Sequence, residues 1–398
     1  MSVLAALLCI AGALCVLTLA LMLWNLALYR APTPAEIARG TTVLRAAAAS
    51  NSAALQFALP LVTVCIPARN EAANLEACVR SALAAATGAE GHSVEVLVYD
   101  DHSTDATPEI LAALTAADPR VRAATVSDLP EGWNGKQFAC QQMGMQARGQ
   151  WLLFTDADVR FAPTCIDAAL GFAFSANAQL VSTFPRQVTP TLGEALVIPL
   201  IHWVLLSYLP LARMRSSNGA RASAGCGQFL FVRRLEWLEA GGHAALRASM
   251  HDGIQLPRAL RRAGYRTDLF DGTALVSCRM YRGFAQTWRG FTKNAYEGLG
   301  SFPLLVFITL AHALAHVLPW IVLVLALART VTEPAAIGLA VFAIVIALAQ
   351  RLLLAVRFEQ RIDAALLHPV SVVLLTAIQW WSLTLQLRGR RTWRGRTA

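Results

Sequence analysis

The chain has 398 residues, room for one large domain or two of ordinary size. Hydrophobic residues make up 56%, charged residues only 15%, and the mean hydropathy is +0.48, which excludes an ordinary soluble domain and calls for membrane segments. The net charge of +9 gathers beside apolar runs and not in a groove interleaved with aromatic residues, which disfavours nucleic acid as a partner.

In chain order, residues 3–28 carry no charge, are too long for a signal-peptide core and lack a basic leader. They predict a retained membrane helix within residues 1–30. Residues 31–60, with Arg39, Arg45 and an alanine-rich stretch near 46–58, read as a juxtamembrane linker. "LVTVCIP" (61–67) predicts a strand, and "NEAANLEACVRSALAAA" (70–86) a helix with Asn70 as its cap. "VEVLVYD" (94–100) predicts a second strand, and "DHSTDATPEILAALTAA" has the Thr/Asp-rich lead and proline of a helix start. "RVRAATV" and "GQWLLFTDAD" supply third and fourth strands. Strands alternating with helices imply an α/β fold with a mainly parallel sheet covered on both faces. Further strands are expected at 178–188 and 227–234, and a helix at 251–265 led by Asp252.

The segment 191–214 is strongly apolar and contains Pro199 and Pro210. It reads either as a core helix or as an element of about 191–215 lying in the membrane interface. Apolar runs near 302–328, 335–356 and 368–387 predict a C-terminal membrane region over 301–388, before a basic tail at 389–398. Basic residues flanking membrane segments mark the cytoplasmic side, so a multi-pass protein of the cell membrane with a cytoplasmic globular domain at 61–300 is expected. Three full crossings would carry the basic tail outside, so one segment is re-entrant or interfacial, or the tail is an exception. The eight cysteines show no C-x-x-C spacing and read as small core residues.

"FTDADVRF" (154–161) sets Asp156 and Asp158 one residue apart at the end of an apolar strand. Their repulsion needs an offset, and a divalent cation or a plain surface turn are the two readings. In parallel α/β sheets ligands sit beyond the C-terminal strand ends. Arg69-Asn70-Glu71, Asp100-Asp101 and Asp156/Asp158 all fall at such ends, which favours a ligand site.

"CIPARNEAANL", "VLVYDDHSTDAT", "WLLFTDADV" and "HDGIQLPRALRRAGYR", in that order, resemble the motifs of family-2 inverting glycosyltransferases of GT-A fold. The flanking membrane helices resemble most the carotenoid- and hopanoid-associated branch, which acts on lipid acceptors. The resemblance implies that Pro67, Ala68, Arg69, Asn70 and Glu71 line the nucleotide pocket, with Glu71 near the ribose or uracil of a UDP-sugar. It implies that Asp101 holds the base beside Asp100, that Lys136 in "WNGKQFA" lies close to the diphosphate, and that Asp156 and Asp158 hold Mg²⁺ or Mn²⁺. Asp252 would be the general base, with His251 where the family often has glutamate. Processive relatives carry Q-x-x-R-W; here Gln286 and Arg289 keep the spacing and Gly290 replaces the tryptophan. Gln286 and Arg289 are then candidate substrate-binding residues, Arg289 through the diphosphate, or the stretch is a juxtamembrane helix whose arginines sit near lipid headgroups.

The implied activity is transfer of a hexose from a nucleotide sugar to a membrane lipid hydroxyl. The cation neutralises the leaving diphosphate, fixed positive charge stabilises it, and a carboxylate accepts the acceptor's proton. A polyprenyl-phosphate acceptor and a catalytically inactive membrane scaffold are the alternatives.

Overall fold

The structure, a computed structural model, describes residues 2–52, 60–87, 93–390, 392–393 and 396–397. Residues 53–59 of the expected linker and part of the basic tail therefore lie outside the described residues. The chain divides into two compact units. One comprises residues 29–186 and 211–279 with the extreme C-terminus; the other comprises 1–28, 187–210 and 280–391.

The first unit is built on strands β1 (Val62–Ala68), β2 (Val94–Asp100), β3 (Val121–Ala123), β4 (Trp151–Phe154), β5 (Val159–Phe161), β6 (Leu180–Ser182), β7 (Leu230–Arg233), β8 (Thr267–Leu269) and β9 (Val276–Cys278). Seven form one sheet in the order β3-β2-β1-β4-β7-β6-β8. β2 and β4 both run parallel to β1, β3 parallel to β2, and β8 parallel to β6. β7 alone is reversed, antiparallel to β4 and β6. The sheet is thus mixed and mainly parallel, as its strand–helix alternation predicts. β1 is buried at every residue and β2 at all but its last, as expected for strands covered on both faces. The β4–β7 pairing stacks Trp151 on Phe231 with centroids 4.8 Å apart. β5 pairs with β9 in a separate antiparallel ladder.

Helices Leu75–Leu83, Thr107–Ala117, Gly135–Gln146, Cys165–Ala176 and Asp252–Arg262 belong to this unit. The helix after β1 starts at Leu75, with Asn74 at the N-cap position but making no side-chain cap bond, and Asn70 instead holds a left-handed backbone with φ 54°. Residues 34–52 of the segment expected to be a linker are helical and pack on the 165–176 helix. Small residues allow this approach: a Cβ on Gly40 would lie 1.9 Å from the Asp167 carbonyl oxygen, and one on Gly171 1.8 Å from that of Glu36.

In the second unit, Val3–Leu28, Phe302–Leu327, Pro334–Arg357 and His368–Leu387 are long and apolar enough to cross a membrane. A π-helical turn at Ala313–Val317 interrupts the second. The apolar segment 191–214 is split at its prolines into helices Leu192–Val197 and Leu200–Tyr208 of this unit and Leu211–Ser216, which belongs to the first unit.

Candidate active site

β1, β2 and β4 are parallel neighbours, so the loops that follow them emerge at the same end of the sheet. The loops after β1 and β2 are stitched together. Arg69 donates from Nη1 to the Asp101 carbonyl at 2.6 Å and to its carboxylate at 3.3 Å. Asn70 donates its N–H to Ser103 Oγ and accepts the Thr104 N–H at 2.8 Å, which its left-handed backbone makes possible. The Glu71 N–H donates to Thr107 Oγ1, while its carboxylate accepts from Asn74. Asp100 accepts from the Ser103 hydroxyl and N–H. Pro67 and Ala68 close β1 as buried strand residues, and the Asp101 N–H donates to the Ala68 carbonyl. Arg69, Asn70, Glu71, Asp100 and Asp101 thus form one polar rim at the strand ends.

A second group centres on Lys136, whose ammonium lies 2.7 Å from Asp156 Oδ1 and 2.9 Å from Asp252 Oδ2. Its placement is dictated locally. Asn134 caps the 135–146 helix by accepting the N–H groups of Lys136 and Gln137. Asn134 also donates its N–H to the Arg247 carbonyl, and Gln137 Nε2 donates to the Ser249 carbonyl. The helix start is therefore moored to the 247–250 segment that leads into Asp252. A cation in a first helical turn opposes the helix dipole, and here two carboxylates offset that cost. Burial alone would lower the Lys136 pKa, but Asp156 and Asp252 outweigh it and hold the ammonium firmly protonated. Burial likewise pushes Asp252 up, and the Lys136 charge and hydrogen bond overcome it and hold the carboxyl below its usual range.

Asp252 is confined further by glycines. A Cβ on Gly227 would lie 2.2 Å from Asp252 Oδ1, and one on Gly253 2.6 Å from the Gly225 carbonyl oxygen. Asn134, Gln137 and Gly227 are site-shaping residues absent from the sequence reading. The first two were detectable, since Asn-x-x-Gln before a helix has the form of a capping box.

Asp158 shows what the D-x-D pair needs. Its Oδ1 is sealed from solvent without a hydrogen-bond partner, and burial, then Asp156, push its pKa up to about 7. A carboxylate beside a second carboxylate, with an unpartnered buried oxygen, fits a divalent cation. No cluster of three or more His, Cys, Asp or Glu able to hold a metal occurs among the described residues, so such an ion would complete its shell with phosphate and water, as Mg²⁺ habitually does.

Gln286 and Arg289 belong to the other unit. Both are exposed on the helix Phe284–Thr292, with Gln286 accepting the Arg282 N–H and Arg289 bonded to the Ala285 carbonyl. Gly290, where processive enzymes carry tryptophan, is closed by Tyr281: a Cβ there would lie 2.0 Å from its Cζ.

Residues 63–233 match the family model "Glycosyl transferase family 2". Over 264 residues the chain is 26% identical to a 4,4'-diaponeurosporenoate glycosyltransferase of Staphylococcus haemolyticus, 66% of each chain. Over 122 residues it is 38% identical to the succinoglycan biosynthesis protein ExoO of Rhizobium meliloti, 31% of this chain and 32% of that one. The chain thus spans at most about two thirds of these curated relatives. Among solved structures it is similar to the mannosyltransferase PcManGT from Pyrobaculum calidifontis in complex with GDP-Man and Mn²⁺, with TM-score 0.54 and 17% identity over 95% of this chain and 99% of that one. That likeness concerns the fold, GT-A. Residues 63–233 therefore form a family-2 glycosyltransferase domain of GT-A fold, in a chain resembling the carotenoid-glycosylating branch.

Proposed function

We propose that the protein is a membrane-bound inverting glycosyltransferase that moves a hexose from a nucleotide sugar, a UDP-sugar on the family resemblance, to a membrane lipid hydroxyl. The observation that carries this reading is the Lys136 ammonium poised between Asp156 and Asp252, with the unpartnered, buried Oδ1 of Asp158 two residues from Asp156. The family match and the relative that acts on 4,4'-diaponeurosporenoate support it, as does the Pyrobaculum enzyme with its GDP-Man and Mn²⁺.

In this reading Arg69, Asn70, Glu71, Asp100 and Asp101 receive the nucleoside. Asp156 and Asp158 hold Mg²⁺ or Mn²⁺, which when bound neutralises diphosphate charge. A diphosphate competes with the carboxylates for Lys136, so donor binding draws the ammonium away from Asp252 and restores that carboxylate's affinity for a proton. The acceptor oxygen then bonds to the anomeric carbon while Asp252 takes its proton. The bond to the diphosphate breaks, the leaving oxygen keeps the electron pair beside Lys136, and the anomeric configuration inverts. Arg289 and Gln286 are assigned to a headgroup-level helix. The basic flanks support a multi-pass protein of the cell membrane with its catalytic domain in the cytoplasm.

Asp252→Asn tests the acceptor class. A hydroxyl needs the base, so sugar transfer should fall by roughly 10²-fold or more. Undiminished transfer would show that the acceptor is already anionic, as a polyprenyl phosphate is.

A further inference from the structure

The second unit holds a cluster of buried polar side chains that the transferase reading does not use. Gln350 donates to the Cys15 carbonyl at 2.8 Å and to Thr18, and accepts from Trp203 Nε1 at 3.2 Å. Trp203 is ringed by His312, His316 and His368, with centroids 5.1–5.4 Å away. His316 and His368 are bonded to each other, and Tyr208 to His312. The π-helical turn sits between His312 and Val317, and such turns recur at functional positions. Next to Gln350, Arg351 is 1% exposed on the helix 334–357, with Nε and Nη1 unpartnered. It lies within electrostatic reach of His202 and His368. On the helix begun by His368, His368 Nδ1 and Ser371 Oγ are also buried without partners.

A guanidinium is charged at all working pH values and can only donate. Buried between apolar helices with donors unmet, it is expensive, and in membrane segments such residues mark ligand or ion sites. Histidine, serine and glutamine side chains carry no negative charge that could balance it. Their hydroxyl and ring N–H groups can instead join it in donating to an anion. A metal ion is the wrong occupant, because the central group is a cation.

We propose that Arg351, with His368 and Ser371, forms an anion-binding site inside the helical unit that takes a phosphate or carboxylate, carried by an amphiphile or free. Its residues belong to a different unit from Lys136, Asp156 and Asp252, and the proposal does not rest on the transferase reading.

Thermal unfolding of the full chain in neutral detergent tests it, with dioleoyl phosphatidic acid, oleate, dioleoylglycerol and inorganic phosphate added in turn. A phosphatidic acid or oleate shift of at least about 3 °C, absent with dioleoylglycerol and lost in Arg351→Met, supports the site with an amphiphile as its source. An equal shift with inorganic phosphate supports it with a free anion as its source. Without additive, Arg351→Met should melt no lower than the wild type, because an unpaired charge has been removed. The proposal is overturned if no anion shifts the wild type, if dioleoylglycerol shifts it equally, or if the shift survives in Arg351→Met. It is also overturned if that variant is markedly less stable without additive, since the guanidinium would then have an internal partner.

Discussion

Lys136 is the residue on which the site turns, because one ammonium satisfies two carboxylates from different loops. Lys136→Gln leaves Asp156 and Asp252 facing each other without a cation, and removes the fixed charge assigned to the leaving group. Turnover at saturating donor should drop by ~10²–10³-fold, measured as labelled sugar transferred. Gly227→Ala probes position separately from charge. Its Cβ would lie 2.2 Å from Asp252 Oδ1, and the carboxylate can swing aside, so the fold should survive while kcat falls by about 10²-fold. An unchanged kcat would show that the Asp252 rotamer is immaterial. Much of this group was legible in the sequence: Asp156, Asp158, Lys136 and Asp252 all carry motif resemblance, and three of them meet at one ammonium. Gly227 was not, because a glycine's role here is the volume it leaves to a residue 25 positions away.

Among the elements, the strands were legible because apolar, β-branched runs bounded by polar loops leave little choice of register. The helix starts were less so. Asn70 has the chemistry of a cap, yet the chain needs it one turn earlier, in a left-handed conformation that lets its side chain bond Thr104. The helix 34–52 was hidden because its alanine-rich composition suits a linker as well as a helix, and its partner surface lies more than a hundred residues on. Its packing rests on Gly40 and Gly171, so Gly40→Val should force the helix pair apart and destabilise the unit by about 2 kcal/mol, read from denaturant midpoints. The same helix carries an acid-sensitive contact. Hydrogen bonding from Arg30, then from the Thr33 N–H, outweighs burial and lowers the Glu36 pKa from 4.5 to about 2. A depressed folded-state pKa contributes stability above the unfolded value, and that contribution is lost as pH falls from about 4.5 towards 2. Glu36→Gln should flatten this part of the stability curve, and a curve identical to the wild type would remove Glu36 from the account.

For the molecule as a whole, composition alone required membrane segments, and four helices long and apolar enough to cross a membrane are present among the described residues. What composition could not give is the chemistry inside them, since buried histidines and Arg351 read only as isolated polar interruptions until folding gathers them. The central claim concerns the other unit: its carboxylates and Lys136 pass a sugar to a lipid. The direct measurement is incubation of the purified chain with radiolabelled nucleotide sugars, lipid extract and Mn²⁺, followed by counting label in the organic phase. The wild type should move label from at least one donor into lipid, and Asp158→Ala should lose at least ~10²-fold of that transfer. Equal transfer by Asp158→Ala, or label that stays with water for every donor, would contradict the account.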